Sequence, residues 1–394
     1  MACENIEQIL ITESNRIGPD IYRRTLNTSP WTTLVKQEAW PDEMGEAVRV
    51  LVYERTLPGT GAPLTFTDVL NSDGEASGTC APEGAALGFA QTLTSYNLQQ
   101  AAINSPDICL NDLRFPVKRQ EQLRNIMAVL TENTQYAWEN RYRGEYVRLA
   151  GNKIVATQAD ITASTHGNDN VFAAGPADSR LTQGILRYFY SKLIRDGAAT
   201  NAYGRENGAP VFLLITSPET SDEIIKLNAD IRQDFRYAKP SELLAPLGVE
   251  RSYAGFYHLI DTMTPRYNWN SVANAWDPVY PYTTAAATKG TKFVPNPAYY
   301  TATHEDSIIF HPDVFTSLVP KPIGATGQMA FDPQSYRGDF RWRNIPDRVC
   351  NPDGNIGFFR AIFSSGSKPV FKNLGYVIRH LRCAEDLSLL SCPE

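Results

Sequence analysis

The feature that most constrains this chain is a helical period that begins near Pro116 and ends at Gly151, with Gly144 as its sole internal breaker. The residues that recur at steps of three and four are Leu123, Met127, Leu130, Thr134, Trp138, Glu145 or Tyr146, and Leu149. Proline is tolerated where a helix starts and glycine commonly follows a helix end. At 1.5 Å per residue, roughly 30 residues form a rod about 45 Å long, whereas the mean helix has about 11 to 12 residues. The period predicts one long helix, although it alone also fits a long core helix in an all-α lobe.

The sequence before this helix predicts extended structure. Residues 1–47 have little periodicity and are rich in Thr, Asn and Pro, which predicts an arm that wraps around something else. AVRVLVYERTL at 47–57 has the β-branched residues of a strand, and QTLTSYNLQQAAINS at 91–105 alternates as a returning strand does. The stretch between them is rich in Gly, Pro, Ser and Ala, and it exceeds the about 12 to 15 residues of most unstructured loops. The sequence therefore predicts an oversized hairpin.

The sequence after the helix alternates between helix and strand signals. In chain order, the predicted elements are a helix at about 181–198, the strand VFLLIT at 211–216 with a helix after it, a strand at 252–262, and at 306–319 a strand followed by a short helix. The aromatic and proline-rich residues 263–300 predict only loop structure. FFRAIFSS and GYVIRHLRC, near the end of the chain, are expected to pair as two strands. Together these signals predict an α/β lobe over about 180–345, with VFLLIT in its central sheet.

The junction between VFLLIT and the next helix is a candidate ligand site, because the free amides of a helix start attract anions. A phosphate site would need glycines to let the ligand approach, and none is present here. Instead, Ser217 can cap the helix, Pro218 suits its first position and Glu219 supplies a negative charge in its first turn. The junction is therefore predicted to be a structural joint.

The densest cluster of metal-ligating residues is in HEDSIIFHPD. Its members are His304, Glu305, Asp306, His311 and Asp313. The two histidines flank an apolar strand seven residues apart, so their side chains should point to opposite faces. Zinc sites instead use closely spaced histidines on one helix face or in a tight loop, with a distant third ligand. We therefore predict no metal, no cofactor and no catalytic residue, and we keep a cytoplasmic metal-dependent hydrolase using residues 304–313 as the alternative function.

A second short pattern is Ser365-Gly-Ser-Lys368, which matches the Ser-x-x-Lys pattern of some acyl-transfer enzymes. That chemistry needs a helix start, whereas Pro369 follows Lys368 within a predicted hairpin loop. The match is interpreted as chance.

Composition describes an ordered protein with no nucleic-acid signature. The 394 residues are 42% hydrophobic and 20% charged, with a net charge of −6. No long basic run provides the electrostatic footprint of phosphate binding, and no apolar stretch reaches the roughly 20 residues that span a bilayer. The N-terminus lacks a signal-peptide pattern. The six cysteines form no Cys-x-x-Cys pair, which favours free thiols in a reducing cytoplasm.

The order of these parts resembles the major capsid protein of tailed bacteriophages, which has the HK97-like fold that encapsulins share. The segments that carry the resemblance are EAVRVLVYERTLP, the helix at 116–150, VFLLITSPETSDEIIKLNADIRQDFRY, FYHLIDTMTPRY, DSIIFHPDVFTSLVPKP and NLGYVIRHLRC. The resemblance implies an α+β fold. Its implied parts are an N-terminal arm (1–47), an extended loop (48–110), a peripheral domain with a spine helix (111–180), an α/β axial domain (181–349) and a return to the peripheral domain (350–394).

The resemblance also implies a function and partners. The chain is expected to be a non-enzymatic structural protein that assembles in the host cytoplasm into the icosahedral shell of a virion around double-stranded DNA. Its main partner would be itself, in pentamers and hexamers, with portal, scaffolding and decoration proteins as further partners. Packaged DNA would be held without sequence-specific contact, and no membrane would be bound. An encapsulin-type protein compartment is a further alternative.

Two finer expectations follow from the resemblance. The spine helix should turn Leu123, Met127, Leu130 and Trp138 toward a sheet that includes the strand 376–383. The loop at about 56–89 should lie over the spine helix of a neighbouring subunit and bury Leu64, Phe66 and Val69 there.

Overall fold

The structure is a computed structural model that describes residues 30–40, 47–55, 89–105, 107–109, 116–163, 171–173, 175–195, 204–206, 209–226, 251–253, 255–286, 291–320, 339–344 and 356–382. The chain divides into two compact units, one of Met1–Pro41 with Gln99–Glu394 and one of Asp42–Leu98. Most of the predicted arm and the loop residues Leu64, Phe66 and Val69 lie outside the described residues.

Helices and strands are numbered here in chain order. The helices are α1 (Pro30–Leu34), α2 (Pro116–Leu149), α3 (Gln158–Ala163), α4 (Gln183–Arg195), α5 (Pro218–Lys226) and α6 (Pro297–Thr301), with a 3-10 turn at Lys372–Leu374. The strands are β1 (Gln37–Ala39), β2 (Ala47–Arg55), β3 (Phe89–Asn97), β4 (Gln99–Asn104), β5 (Ile108–Cys109), β6 (Asn152–Val155), β7 (Gly204–Glu206), β8 (Ala209–Thr216), β9 (Arg251–Tyr253), β10 (Phe256–Ile260), β11 (Arg266–Asn270), β12 (Ala275–Val279), β13 (Tyr282–Ala286), β14 (Thr291–Pro295), β15 (His304–Phe310), β16 (Phe315–Val319), β17 (Asp339–Asn344), β18 (Ile356–Pro369) and β19 (Tyr376–Leu381). The chain is a mixed α+β protein, as expected from the sequence.

The smaller unit contains an antiparallel hairpin. Strands β2 and β3 pair over their full length, from Ala47 opposite Asn97 to Arg55 opposite Phe89. The predicted pairing of an outgoing and a returning strand is therefore confirmed. The returning stretch is longer than β3, because its last residues form β4 in the larger unit.

The long helix α2 has 34 residues, which confirms the prediction from its periodicity. Its core-facing residues Leu130, Trp138 and Tyr146 are fully buried and stand at multiples of four along the helix. Trp138 lies 4.9 Å, between ring centroids, from Phe363 of β18, and Tyr146 stacks on Phe310 of β15 at 5.3 Å. The helix therefore contacts both large sheets of its unit. The side chains of Leu123 and Met127 lie outside the described part of the chain.

A nine-stranded sheet forms the centre of the larger unit, with the strand order β12-β11-β15-β8-β10-β9. Strand β19 pairs with β15 and with β6, and β7 pairs with β8. Strand β8 carries VFLLIT, and its neighbours are β10, which is parallel, and β15, which is antiparallel. Every residue from Val211 to Ile215 is less than 5% exposed, so the predicted central strand is confirmed.

A six-stranded sheet surrounds the 14-residue strand β18. Strands β16, β17, β4 and β5 all pair with β18 in antiparallel fashion. The short strand β1 adds to the edge in parallel with β16, with Gln37 opposite Ser317. Residues near the N-terminus thus join a sheet made mainly from the last fifth of the chain.

The predicted pairing of FFRAIFSS with GYVIRHLRC is wrong. The first segment lies in β18 and the second in β19, and the two strands belong to different sheets. Five of the six residues of β19 are buried. The backbone N–H and C=O groups on both edges of a buried strand need hydrogen-bond partners, and β15 and β6 provide them. The short helix predicted after β15 is also wrong. All five residues of FTSLV are buried and form strand β16, because two of them are β-branched and their neighbours are strands.

The assignment of 263–300 to loop alone is wrong as well, because this segment contains β11 to β14 and α6. Its prolines do not prevent strands, since Pro278 lies in β12 at the edge of its sheet and Pro295 is the last residue of β14. Trp269 and Trp276 stand opposite each other on β11 and β12, with ring centroids 5.0 Å apart. Such cross-strand aromatic pairs stabilise a hairpin.

Of the remaining predicted elements, one helix is close to that observed and one strand is not. The helix expected at about 181–198 is α4. The single strand expected at 252–262 is wrong, because the chain reverses next to Gly255 and β9 pairs with β10 in antiparallel fashion, with Phe256 opposite Tyr253. Gly255 has a φ of +83°, and the ring of Tyr190 occupies the space that a Cβ would need. Within the described residues, no helix combines the length and the apolar composition that crossing a bilayer requires.

Candidate functional site

The junction between β8 and α5 is occupied by side chains of the chain itself. The Ser217 hydroxyl accepts a hydrogen bond from the Thr220 backbone N–H at 3.2 Å, which is the contact of a helix N-cap. The same hydroxyl donates to Oε1 of Glu305 at 2.9 Å. In the first turn, the Glu219 carboxylate pairs with the Arg266 guanidinium at 2.9 Å. The geometry agrees with the predicted capping role of Ser217 and adds a buried carboxylate that the sequence did not predict there.

Glu305 is the most perturbed acid of this junction. It is 1% exposed, and its Oε2 has no hydrogen-bond partner. Burial raises the pKa of Glu305 to about 7, although the hydrogen bond from Ser217 and the charge of Arg266 oppose the rise. Arg266 is itself fully buried, and its guanidinium carbon lies 4.0 Å from the ring centroid of Tyr299. The arrangement holds a carboxyl group that burial makes easy to neutralise, beside the ion pair of Arg266 and Glu219.

The cluster predicted around His304 and His311 does not converge. Nδ1 of His304 lies 2.7 Å from the Thr303 hydroxyl, while Nδ1 of His311 accepts from the Asp313 backbone N–H at 3.2 Å. The backbone N–H of His311 donates to the Tyr146 hydroxyl of α2 at 2.9 Å. Across the described residues, no three His, Cys, Asp or Glu side chains are grouped so as to hold a metal ion. The cluster is compact in sequence only, because β15 distributes its side chains among different neighbouring strands and helices.

Asp306 belongs to a buried ion pair that the sequence did not predict. Its two carboxylate oxygens accept from Nε and Nη2 of Arg379 at 2.7 and 2.8 Å, and both side chains are 3% exposed or less. The Arg379 guanidinium carbon lies 3.5 Å from the ring centroid of Tyr267 and 3.8 Å from that of Phe172. Burial would lower the pKa of Arg379, but the charge and hydrogen bonds of Asp306 raise it above its usual value. Asp306 and Arg379 are register partners on β15 and β19, so only the strand pairing could have shown the contact.

Asp261 connects three distant parts of the larger unit. Its carboxylate accepts from Nε1 of Trp31 at 2.8 Å and from both Nε and Nη2 of Arg143 at 2.8 Å. Its backbone N–H donates to the carbonyl of Thr216 at 2.9 Å. The residues come from α1, from α2 and from the ends of β8 and β10, and the three side chains are almost fully buried. The contact fixes the segment at 30–40 to the helix and to the nine-stranded sheet.

The serine and the lysine of the Ser-x-x-Lys match contact different parts of the chain. Ser365 is 1% exposed, and its hydroxyl accepts from Nε of Arg141 at 2.6 Å. Nζ of Lys368 instead lies 3.5 Å from a carboxylate oxygen of Glu38. The two residues thus have separate partners, as the interpretation of a chance match requires.

The buried side chains of the junction between β8 and α5 are closed off from solvent. Ser217, Glu305 and Arg266 are at most 2% exposed, so a substrate could not reach them without unfolding the junction. A nucleophile and base also need a place where a reacting atom can sit, and these side chains are packed against each other. The polar core positions elements of the unit relative to each other.

Solved structures that match nearly the whole chain include phage capsids and an encapsulin. The capsid of Ralstonia phage GP4 is 9% identical with a TM-score of 0.47, and the match covers 90% of this chain and 88% of that chain. The capsid asymmetric unit of cyanophage Pam1 is 12% identical with a TM-score of 0.44, covering 89% of each chain. The holo-SrpI encapsulin complex from Synechococcus elongatus PCC 7942 is 10% identical with a TM-score of 0.42, covering 89% of this chain and 87% of that chain. No family model and no curated protein matches the chain.

Proposed function

We propose that this chain is the major capsid protein of a tailed phage, a structural protein that self-assembles into the icosahedral shell around double-stranded DNA. The observation that carries the proposal is the separate unit Asp42–Leu98, in which the described residues form only one two-stranded hairpin. A two-stranded hairpin is at best marginally stable by itself in water. Ordering the loop between its strands costs on the order of 1 to 2 kcal/mol per residue in backbone entropy. Contacts with neighbouring subunits in a shell would stabilise the hairpin and offset the entropy lost on ordering its loop.

The larger unit supports the same function. Its polar core joins α1, α2 and the nine-stranded sheet through buried contacts of Asp261. In the candidate cluster His304, Glu305, Asp306 and His311 are buried, and Asp313 is half-buried. A shell subunit needs such a self-sufficient body and needs no substrate pocket. The net charge of −6 also suits a protein that encloses DNA without adhering strongly to it.

The domain roles remain part of the proposal. Residues 1–47 would be the arm, 48–110 the extended loop, 111–180 the peripheral domain with α2 as its spine, 181–349 the axial domain, and 350–394 the return to the peripheral domain. Leu64, Phe66 and Val69 would be buried on the neighbouring subunit. Pentamers and hexamers would form the virion shell in the host cytoplasm, with portal, scaffolding and decoration proteins as further partners.

Negative-stain electron microscopy and sedimentation velocity of the purified full chain test the proposal. We expect closed shells or capsomer-sized oligomers whose formation increases with protein concentration. A chain that stays monomeric over a wide range of concentration and salt would contradict the proposal. Deleting residues 60–85 should leave a folded subunit that cannot close shells, and normal shells from that deletion would show that the loop is not an inter-subunit element.

A further inference from the structure

Strands β13 and β14 form a two-stranded sheet that pairs with no other described strand. Tyr282, Thr283, Thr284 and Ala286 of β13 are exposed, and only Ala285 is half-buried. The base of this hairpin is fixed, because the Asn296 N–H donates to the Pro281 carbonyl at 2.9 Å. Within the subunit the hairpin is also supported by the Tyr282 ring, whose centroid lies 6.2 Å from that of Tyr136 on α2. Two-stranded hairpins are marginal in water by themselves, so a partner on the exposed face would stabilise this one further.

Three tyrosines are exposed at the base of the hairpin. Tyr280 is 47% exposed, Tyr282 40% and Tyr300 52%. Nδ2 of Asn296 donates to the Tyr280 carbonyl at 3.0 Å, Tyr282 stands opposite Pro295, and Tyr300 follows on α6. We call Tyr280, Tyr282 and Tyr300 the tyrosine surface. Tyrosine is enriched in protein–protein interfaces because it has a large apolar ring, a polar end and little side-chain entropy to lose.

The segment that carries the tyrosine surface is depleted of charge. Of the 36 residues at 268–303, three are charged, namely Asp277, Lys289 and Lys292, whereas 20% of the whole chain is charged. Seven of the 36 are aromatic, and Tyr280, Tyr282 and Tyr300 are the exposed ones among those whose side chains the structure describes. Loss of charged residues together with a gain of aromatic residues distinguishes the centre of an interface from ordinary surface.

We propose that the tyrosine surface binds a second copy of this chain, so that it is a contact between subunits of the shell. This inference rests on the proposed function. Each copy carries a net charge of −6, so charged surfaces of two copies repel one another unless opposite charges face each other across the contact. A surface with almost no charge is one where two identical chains meet without that repulsion.

The outer face of α4 provides a contrast within the same chain. Tyr188 and Ile194 are each 42% exposed there, which resembles the exposure of the tyrosine surface. Arg187 and Arg195, on either side of them, are also exposed. A contact of this face with an equivalent face would bring arginines together, so an exposed aromatic residue alone does not define the proposed contact. Tyr188 is therefore a matched control for Tyr280 and Tyr300.

The test compares Tyr280→Glu/Tyr300→Glu with Tyr188→Glu in the full chain. Sedimentation velocity measures the assembled fraction, and thermal unfolding of the unassembled subunit measures its fold. We expect at least a tenfold decrease in the assembled fraction for the double variant, an unchanged Tm of the subunit, and wild-type assembly of the control. Normal assembly of the double variant, or an equal defect in the control, overturns the proposal.

Hydrogen exchange of the wild-type protein keeps the proposal testable if the double variant fails to fold. Amides of β13 and β14 should exchange at least tenfold more slowly in assembled particles than in free subunits. Equal exchange in the two states overturns the proposed contact while the shell function stands. A wild-type chain that forms no assemblies overturns the shell function, and the proposed contact with it.

Discussion

Two regions of the larger unit use their side chains in opposite ways. Strand β15 buries His304, Glu305 and Asp306 and pairs them with groups on neighbouring elements, so its polar residues are used within one subunit. The segment 268–303 carries almost no charge and leaves three tyrosines exposed to solvent. A region whose polar groups are hydrogen-bonded within the chain has few free donors and acceptors with which to bind another molecule. The contrast separates the part of the molecule that completes its own fold from the part suited to binding another copy.

The strongest test of the self-sufficient region is the Asp306–Arg379 pair. Asp306→Ala should decrease the free energy of unfolding by roughly 3 to 5 kcal/mol, because Arg379 would remain buried without its counter-charge. Chemical denaturation of the subunit measures the change. The exposed residue Arg148, whose pair with Glu145 lies on the surface, provides the control: Arg148→Ala should cost at most about 1 kcal/mol.

A double variant sharpens that result. Asp306→Leu/Arg379→Leu removes both charges and should be markedly more stable than Asp306→Ala, since replacing a whole buried pair by apolar residues is often nearly neutral. If the double variant were as unstable as Asp306→Ala, packing and not the uncompensated charge would explain the loss.

The face of α2 gives the next largest expected effect. Leu130 is fully buried, and Leu130→Ala should decrease the free energy of unfolding by roughly 2 to 5 kcal/mol through lost burial and the cavity left behind. Urea denaturation of the free subunit checks this value. A change below about 0.5 kcal/mol would show that this face of the helix is not packed as described.

Glu305 predicts a pH dependence of stability. Its pKa in the folded protein, about 7, lies above the usual 4.5, so the folded state holds this proton more tightly than the unfolded state does. The corresponding stability is fully present below pH 4.5 and is lost as the pH rises through about 7. At 1.36 kcal/mol per pKa unit, the loss is about 3 kcal/mol.

Glu305→Gln removes this ionisation while it keeps the size of the side chain. Relative to wild type, the variant should gain about 3 kcal/mol between pH 4.5 and pH 8, as measured by denaturation at a series of pH values. Arg266, Glu219 and Arg382 surround Glu305 and are unchanged in the variant. Parallel stability profiles for the two proteins would mean that ionised Glu305 is well accommodated.

The smallest effect is expected at the tyrosine surface of the free subunit. Tyr300→Ser should change the free energy of unfolding by no more than about 0.5 kcal/mol, because exposed side chains contribute little within one chain. A loss above 2 kcal/mol would place Tyr300 in the subunit's own core and remove the contrast between the two regions.

The sequence predicted the features whose signals are local. The period of α2, the apolar run of β8 and the cap at Ser217 each depend on residues close together in the chain, and the structure contains all three. The strands in 263–300 were missed because prolines weigh against strands unless the edge position of β12 is known. Asp306 contacts Arg379 because β15 pairs with β19, and no local pattern in the sequence specifies that pairing.

The candidate site shows the same limit. The sequence identified the residues at 304–313 as a group but could not assign their partners, which come from different parts of the chain. Glu305 was grouped with histidines, whereas its contact is the hydroxyl of Ser217, 88 positions away. The signal in the sequence was the presence of polar residues within an apolar strand. Such residues indicate buried hydrogen bonds and ion pairs as readily as they indicate metal binding.

The parallel pairing of β1 with β16 has a consequence for the time course of synthesis. Gln37 emerges from the ribosome about 280 residues before its partner Ser317, and Trp31 precedes Asp261 by 230. At roughly 5 to 20 residues per second, β1 waits on the order of 15 to 55 s for its place in the sheet. Strand β1 therefore reaches its place in the sheet long after it has been made.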